Sequence, residues 1–298
     1  MIREKHTKSG KLLEADFFPV FSDGRRVPSR APKTNRSTAE QARYNRRQAV
    51  KKMVRIINTN FDSEDIIMHP TYEQAKAPQS IEEARRDLVN YLRRVKRKRE
   101  TELKKVLKAL EVFPLCDELK EQREKLENKV KKLKQPFKYA YTIEKVQYKS
   151  GKYAGRDNWH FHLFLTGGLE RNTLEEMWPN GMRTNADRFQ PEKFGPEAIA
   201  KYMVKDPEGN KSFCTSRNMD KPVSKQKDGQ ITPYGVERMA KQRIDDREYW
   251  ENRYKGYRFI KCYSRFNEFN GHWYVSVVMY KNDSGPPPRW EFEDWVDD

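Results

Sequence analysis

Two neighbouring segments in the middle of the chain alternate between apolar and polar residues, and this alternation predicts a β-hairpin. Residues 137–145 (FKYAYTIEK) alternate like a half-buried strand, and residues 158–165 (NWHFHLFL) follow after a loop that contains glycine. Successive side chains of a strand point to opposite faces of a sheet. Trp159, Phe161 and Leu163 therefore share one face, which we expect to pack on a core.

Apolar residues recur at helical spacing over residues 80–98, and a capping box at the start of this segment supports a helix. Two charge-rich stretches come next, at 101–113 and 116–134, and Pro114 separates them. We expect these stretches to form an antiparallel helical hairpin, at about 101–134, that is inserted into the surrounding domain.

Shorter elements complete an alternating order of strands and helices. The patterns predict a helix at 37–57, a strand at 64–72, a short helix at 173–178, a strand at 182–189, a helix at 196–204 and a polar loop at 211–230. Between 64 and 205 the order is strand, helix, strand, strand, helix, strand, which is that of a split β-α-β unit. We therefore predict an α+β fold with a ferredoxin-like antiparallel sheet, flanking helices and a C-terminal β-hairpin extension.

Composition divides the chain into four segments. Residues 1–34 mix Pro, Lys, Arg and Ser with little periodicity, which predicts a flexible basic arm. The main domain is expected at 35–222. A basic helix near 234–254 and an aromatic β-hairpin form a C-terminal extension at 223–285. The acidic segment 286–298 follows three prolines and is expected to be disordered.

The charge of the chain favours a polyanionic partner. The 298 residues include 61 Lys and Arg against 44 Asp and Glu, a formal net charge of +17, and 12% of them are aromatic. Basic residues combined with aromatic rings commonly hold single-stranded nucleic acid, which therefore matches better than acidic lipid. The hydrophobic fraction of 36% indicates that much of the chain is solvated surface.

Several common features are absent from the sequence. It has no run of 18 apolar residues and no apolar segment like that of a signal peptide, so we expect a cytoplasmic protein without a membrane partner. Cys116, Cys214 and Cys262 form no C-x-x-C motif, which predicts reduced thiols rather than disulfides or a zinc site. The phosphate-binding motif G-x-x-x-x-G-K-[ST] is also missing, so unwinding of a duplex would need a separate helicase.

The strand at 158–165 carries His160 and His162, whose side chains emerge on the face opposite the apolar residues. Two neutral imidazoles at this spacing could share one divalent ion, or they could be half-buried histidines that only form hydrogen bonds. Glu144 lies near the end of the preceding strand, where antiparallel pairing could place its carboxylate beside both rings. A His-His-Glu set with open positions suits Mg²⁺ or Mn²⁺, although Glu144 could also be an ordinary exposed residue.

Tyr202 and Lys205 are three residues apart on a predicted helix, so both project from one face. A tyrosine hydroxyl could attack a phosphodiester that a divalent ion polarises, while Lys205 offsets the charge that develops. The alternative is a core tyrosine beside a surface lysine.

These motifs resemble those of the HUH endonuclease family. The His-Phe-His triplet that starts at His160 resembles its His-hydrophobe-His motif, and the Tyr-Met-Val-Lys stretch that starts at Tyr202 resembles its Tyr-x-x-Lys motif. Glu144 matches the acidic ligand expected upstream. Stretches within 40–222 are also similar to rolling-circle replication initiators of bacterial plasmids, phages and integrated elements. The sequence departs from the family at 67–72 (IMHPTY), where an apolar-Thr-Leu-Thr-Tyr strand is usual.

The resemblance implies a single-tyrosine enzyme that nicks single-stranded DNA at an origin, which forms a hairpin. It implies a 5′-phosphotyrosine link through Tyr202 and later rejoining of the strand. A separate helicase and polymerase would be partners, and a second protomer or a hydroxyl attack would finish the round. His69 lies in the segment 67–72, which departs from the family pattern. It could approach the metal or have a structural role.

Charge alone marks further residues as candidates for contact with the DNA backbone: Arg93, Arg94, Arg97, Arg217 and Lys221. Two alternatives to replication initiation stay open at this point. The same chemistry could serve a transposase or a conjugative relaxase. The chain could also be a non-catalytic protein that binds single-stranded nucleic acid.

Overall fold

The computed structural model describes residues 1–21, 39–114, 119–147, 152, 154–181, 184–189 and 213–282. Within this part of the chain the fold is α+β, with two antiparallel sheets of five strands each and six α-helices, which confirms the predicted class. None of the described helices combines the length and the apolar character needed to cross a membrane.

The strands are β1 (Ile2–Ser9), β2 (Leu12–Pro19), β3 (Ile66–His69), β4 (Tyr139–Gln147), β5 (Asp157–Leu165), β6 (Asn185–Arg188), β7 (Cys214–Thr215), β8 (Val223–Asp228), β9 (Tyr257–Asn267) and β10 (His272–Lys281). The helices are α1 (Ala39–Asn60), α2 (Ile81–Glu111), α3 (Lys120–Lys134), α4 (Arg171–Glu176), α5 (Pro233–Gln242) and α6 (Arg247–Arg253). The helix predicted at 196–204 lies outside the described residues.

The chain divides into two compact units. Unit 1 contains the described residues 1–21, 39–59 and 220–282, and its sheet has the order β8-β1-β2-β10-β9. Unit 2 contains the described residues between 60 and 219, and its sheet has the order β6-β3-β5-β4-β7. Helix α1 therefore groups with unit 1, although the sequence predicted it within the domain at 35–222.

Residues 2–19 form two strands, and β2 is the middle strand of the unit 1 sheet. The prediction of a flexible basic arm at 1–34 is therefore wrong for this segment. Residues 22–34 and the acidic tail at 286–298 lie outside the described part of the chain.

The charged residues of β2 resemble solvated surface in the sequence, but in the structure they form ion pairs with residues of α1. Nε of Arg55 lies 2.5 Å from Oε2 of Glu14, and Nζ of Lys51 lies 3.2 Å from Oδ1 of Asp16. The alternate β2 residues pack in the apolar core of unit 1: Leu13, Ala15 and Phe17. Both faces of β2 are thus covered, one by ion pairs and the other by apolar packing.

The C-terminal residues complete the same sheet. Strands β9 and β10 confirm the predicted aromatic hairpin, but β10 pairs with β2, so the hairpin belongs to the sheet rather than to an extension at 223–285. The helix predicted near 234–254 is in fact α5 and α6, because Asp246 begins a new helix by accepting a hydrogen bond from the backbone N of Tyr249. Part of the predicted loop at 211–230 forms the exposed edge strand β8.

In unit 2, helices cover one face of the sheet. Trp159, Phe161 and Leu163 of β5 are buried in one apolar cluster with residues of α2, and Leu174 of α4 joins this cluster. The face that the alternation of the sequence assigned to the core is therefore confirmed. Leu165 joins the same cluster, and the alternate β5 residues point to the opposite face: Asn158, His160, His162 and Phe164.

Helix α2 continues through the break that the sequence predicted between residues 98 and 101. Its apolar stripe does not stop there, because Val106 is buried in the same cluster as Val130 of α3. Glu102 and Lys129 form an ion pair of 2.8 Å between the two helices. The inserted helical hairpin is therefore confirmed, with a first arm longer than predicted.

Arg99 ties this helical hairpin to the sheet. Its side chain is buried, and its guanidinium donates to the backbone carbonyls of Thr166 (2.9 Å), Lys132 (3.2 Å), Leu133 (3.4 Å) and Gln135 (3.2 Å). Burial lowers the pKa of Arg99 to about 10, so the group still carries its charge at neutral pH. A buried cation here satisfies the last carbonyls of α3 and the end of β5 at once.

Replacing Arg99 with Met should therefore destabilise the protein strongly. Four backbone carbonyls would each lose one buried donor, and we expect the free energy of unfolding to fall by roughly 3 kcal/mol. Urea unfolding followed by circular dichroism measures the change. The control is Arg97→Met, an exposed position on the same helix, where a change of less than about 0.5 kcal/mol is expected. Equal effects of the two substitutions would contradict the role assigned to Arg99.

Candidate metal centre

Strand β5 lies between β3 and β4, and this position gathers polar side chains around its two histidines. Antiparallel pairing with β4 sets Glu144 opposite His160 and Thr142 opposite His162. On the other side, β3 ends at His69, and Thr71 forms an isolated bridge with His160. All these groups therefore meet on the sheet face that α2 and α4 leave uncovered.

Three histidines form a compact cluster on this face. One ring nitrogen from each of His69, His160 and His162 lies within 4.8 Å of the others, an arrangement that could hold a metal ion. The Nδ1 atoms of His69 and His162 are 3.0 Å apart. The rings of His69 and His160 are nearly parallel, with centroids 5.9 Å apart.

Hydrogen bonds orient two of these rings. Nε2 of His162 lies 3.1 Å from Oε2 of Glu144, and Nδ1 of His160 lies 2.7 Å from Oγ1 of Thr71. Because a carboxylate can only accept, Nε2 of His162 carries the hydrogen, and Nδ1 of the neutral ring then presents a lone pair towards His69. A carboxylate behind a ligating imidazole is the usual arrangement for fixing its orientation.

Burial keeps all three imidazoles neutral at physiological pH. Burial, together with the smaller effect of the neighbouring histidines, lowers the pKa of His160 to about 4 and that of His162 to about 3. Burial also lowers the pKa of His69, although the charge of Asp187 opposes this shift. Neutral rings have the lone pairs that metal binding requires.

Thr142 adds an unsatisfied polar group beside the cluster. Its side chain is 2% exposed, and its Oγ1 has no hydrogen-bond partner. Burying a hydroxyl without a partner costs roughly 1–3 kcal/mol, so such groups commonly serve a bound ligand or water. The orphaned hydroxyl is consistent with a centre that receives a further polar group.

The structure changes the predicted ligand set. His160 and His162 lie together as expected, but the third member of the cluster is His69. Glu144 is close, yet it bonds to the back of the His162 ring and is not one of the three clustered groups. His69 was only a secondary candidate, because its contact with β5 depends on strand pairing that its local sequence, beside Pro70, does not indicate.

The other predicted site residues are not brought to this cluster by the described structure. Tyr202 and Lys205 lie outside the described residues. Arg93, Arg94 and Arg97 are exposed on α2, which covers the opposite face of the sheet. Arg217 follows β7, which pairs with the start of β4, and Lys221 lies in unit 1; both are exposed.

Comparisons with known proteins identify no relative. No protein-family model, no curated protein and no solved structure matches the chain.

The neutral histidines should make stability depend on pH in metal-free buffer. An unfolded histidine binds a proton near pH 6.5, whereas the folded pKa values of His160 and His162 are about 4 and about 3. At pH values between the folded and unfolded pKa, the unfolded state binds more protons than the folded state. The free energy of unfolding should therefore fall as the pH drops from about 6.5 to about 4, by at most about 1.4 kcal/mol per pH unit for each ring.

Urea unfolding in EDTA, from about pH 7 to about pH 4.5, measures this loss. The control is the double variant His160→Gln/His162→Gln, which lacks the two imidazoles and retains the other titrating groups. Its curve against pH should be flatter than that of the unsubstituted protein. Two parallel curves would show that these rings titrate normally in the fold.

Proposed function

We propose that this chain is a metal-dependent, site-specific endonuclease and strand transferase for single-stranded DNA, acting as a rolling-circle replication initiator. The observation that carries the proposal is the cluster of three neutral imidazoles on the sheet face opposite α2 and α4. His160 and His162 supply two of the rings within a His-hydrophobe-His motif, and Glu144 orients one of them.

The strand order of unit 2 supports a ferredoxin-like assignment. The first to fourth strands of the split β-α-β unit are β3, β4, β5 and β6. Across the sheet they lie in the order β6-β3-β5-β4, that is fourth, first, third, second, and all neighbours are antiparallel. Helices α2 and α4 share one apolar cluster, and the histidine cluster lies on the opposite face of the sheet. The inserted hairpin and the added strand β7 would be departures from the simplest form of this fold.

The donor set narrows the proposed cofactor. Imidazole nitrogens suit Zn²⁺, Cu²⁺, Fe²⁺ and Ni²⁺ best; Mn²⁺ and Mg²⁺ both bind readily to oxygen, but Mg²⁺ has the stricter preference for an all-oxygen environment. Of the two ions expected from the sequence, Mn²⁺ is therefore favoured over Mg²⁺. His69, His160 and His162 would hold the ion, Glu144 would orient His162, and the ion would supply Lewis-acid polarisation of the scissile phosphate.

Tyr202 is the proposed nucleophile, on the strength of the sequence motif. Its Oη would form a bond to phosphorus while the bond from phosphorus to the 3′ oxygen breaks, and that oxygen leaves with a proton as a 3′ hydroxyl. Lys205 would offset negative charge on the phosphate. The resulting 5′-phosphotyrosine ester retains the energy of the original bond, so a 3′ hydroxyl can later displace Tyr202 and rejoin the strand.

The proposal implies partners as well as a substrate. The substrate is a single-stranded origin that forms a hairpin. A separate helicase would unwind the duplex, and a polymerase would extend the new strand. A second protomer or a hydroxyl attack would complete strand transfer, because only one tyrosine occupies the motif.

A covalent adduct tests the proposed reaction directly. The protein is incubated with Mn²⁺ and single-stranded oligonucleotides tiled across the DNA that flanks its gene, and species that survive denaturation are analysed by mass spectrometry. We expect one oligonucleotide to be linked to Tyr202, and EDTA to abolish the adduct while binding persists.

Tyr202→Phe should eliminate this adduct, and Tyr234→Phe, at an exposed tyrosine in unit 1, should leave it unchanged. An adduct in the Tyr202→Phe variant would refute the nucleophile assignment. Binding without any adduct in the unsubstituted protein would instead favour the non-catalytic alternative.

Metal titration tests the three-histidine assignment independently of cleavage. The electron paramagnetic resonance signal of free Mn²⁺ falls as the ion binds, which gives the affinity. His69→Ala should weaken the affinity for Mn²⁺ by about 100-fold, because a ligand is lost. Glu144→Ala should weaken the affinity by about 10- to 100-fold, because the His162 ring loses its orientation. His272→Ala, at a histidine in unit 1, is the control and should bind Mn²⁺ normally. Normal binding by His69→Ala would remove that residue from the centre.

A further inference from the structure

Helix α2 has an apolar face and, opposite to it, a basic face. The apolar face is buried in the core of unit 2, where Leu88 and Val95 belong to the main cluster. A second series of residues recurs at intervals of seven, four, seven and four positions, and we call it the basic stripe: Arg86, Arg93, Arg97, Lys104 and Lys108. With about 3.6 residues per turn, these five lie on the side of α2 away from the core. All five are exposed.

The charges around the basic stripe are strongly unbalanced. Between residues 93 and 108 the helix exposes eight Lys or Arg, and Glu100 is the single exposed acid. Glu102, the other acid of this stretch, forms its ion pair with Lys129 of α3. Within the described part of the chain, no residue of the basic stripe forms an ion pair. Like charges four residues apart repel one another on a helix, so the stripe carries a cost that an anionic ligand would offset.

Helix α3 shows that the helical hairpin does not need such a face to remain solvated. Lys125 pairs with Glu121 at 2.7 Å, and Arg123 pairs with Glu127 at 2.9 Å. The exposed charges of α3 are of both signs: Lys120, Glu121, Glu124, Lys125, Glu127, Lys131 and Lys134. The excess of cations is therefore a property of α2 and not of the whole hairpin.

The absence of exposed apolar groups on α2 selects the kind of polyanion. This helix exposes no aromatic or large apolar side chain, and its one aromatic residue, Tyr91, is fully buried. Single-stranded nucleic acid is held largely by stacking on aromatic rings, and a helix on a membrane surface inserts an apolar face. Neither is available here. Duplex DNA presents phosphates on its outside and keeps its bases paired within, so cations alone are enough to bind it.

The length of the basic stripe also fits a duplex. From Arg86 to Lys108 the helix rises by roughly 33 Å, at about 1.5 Å per residue. One turn of B-form DNA rises by about 34 Å. A straight row of cations of this length can contact phosphates over a full helical turn.

We propose that the basic stripe of α2 binds the phosphate backbone of duplex DNA without reading its sequence. This inference goes beyond the proposed cleavage of single-stranded DNA and rests on it only in taking DNA as the ligand. It involves neither the metal centre nor the nucleophile.

The salt dependence of duplex binding tests the site. The full chain in EDTA is titrated into a labelled duplex of about 20 base pairs, and fluorescence anisotropy is followed from about 0.05 to about 0.3 M KCl. Arg93→Gln/Arg97→Gln should weaken binding by roughly 10- to 100-fold at about 0.1 M salt. The slope of log affinity against log salt should become shallower by about 2, because two fewer phosphates are neutralised.

Two matched variants serve as controls. Lys125→Gln/Lys131→Gln removes the same charge from exposed positions of α3 and should change the affinity by less than about threefold. Arg93→Lys/Arg97→Lys keeps both charges and should bind like the unsubstituted protein, because contact with a phosphate needs only a point charge. Two duplexes of unrelated sequence should bind equally well.

Several results would overturn the proposal. One is an Arg93→Gln/Arg97→Gln variant whose duplex affinity stays within about twofold of the unsubstituted protein, or whose salt slope is unchanged. Loss of co-sedimentation with phosphatidylserine vesicles in that variant, without loss of duplex binding, would assign the stripe to a membrane instead. Equal losses in the α2 and α3 variants would show that net charge alone controls binding.

The outcomes also distinguish this inference from the proposed function. If a Tyr202 adduct forms but Arg93→Gln/Arg97→Gln binds the duplex normally, the inference about α2 alone fails. If that variant binds the duplex weakly with a shallower salt slope but no adduct ever forms, the endonuclease proposal alone fails.

Discussion

The central position of β5 in the unit 2 sheet determines where each group of the metal centre lies. The helices that cover one face require apolar residues there, so strict alternation leaves His160 and His162 on the other face. Pairing on both sides then supplies their neighbours, His69 from β3 and Glu144 from β4. A slip of one residue in this register would turn both rings towards the helices, so the centre depends on the sheet being built correctly.

Local patterns predicted most of unit 2, because its elements follow simple periodicities. The alternation at 158–165 identified both the strand and the face of its histidines, and the apolar spacing identified α2. Prediction failed where non-local contacts decide the outcome. His69 joins the cluster through strand pairing over a separation of more than 90 residues, and Glu144 contacts a ring nitrogen that no sequence pattern specifies.

Unit 1 was harder to predict for a related reason. Its strands contain charged residues that are partly or fully buried, which disguises the alternation on which strand prediction depends. Glu14 and Asp16 are tolerated within β2 because Arg55 and Lys51 of α1 neutralise them. A charge whose partner lies some 35 to 41 residues away looks like solvated surface in the sequence.

The pairing of β2 with β10 also constrains how the protein assembles during synthesis. Ala15 lies opposite Val277, so the sheet of unit 1 cannot close until nearly the whole described chain has left the ribosome. Unit 2, encoded between these strands, has local partners and can fold earlier. Until then the β1–β2 ribbon has unpaired edges, and a two-stranded ribbon by itself is only marginally stable.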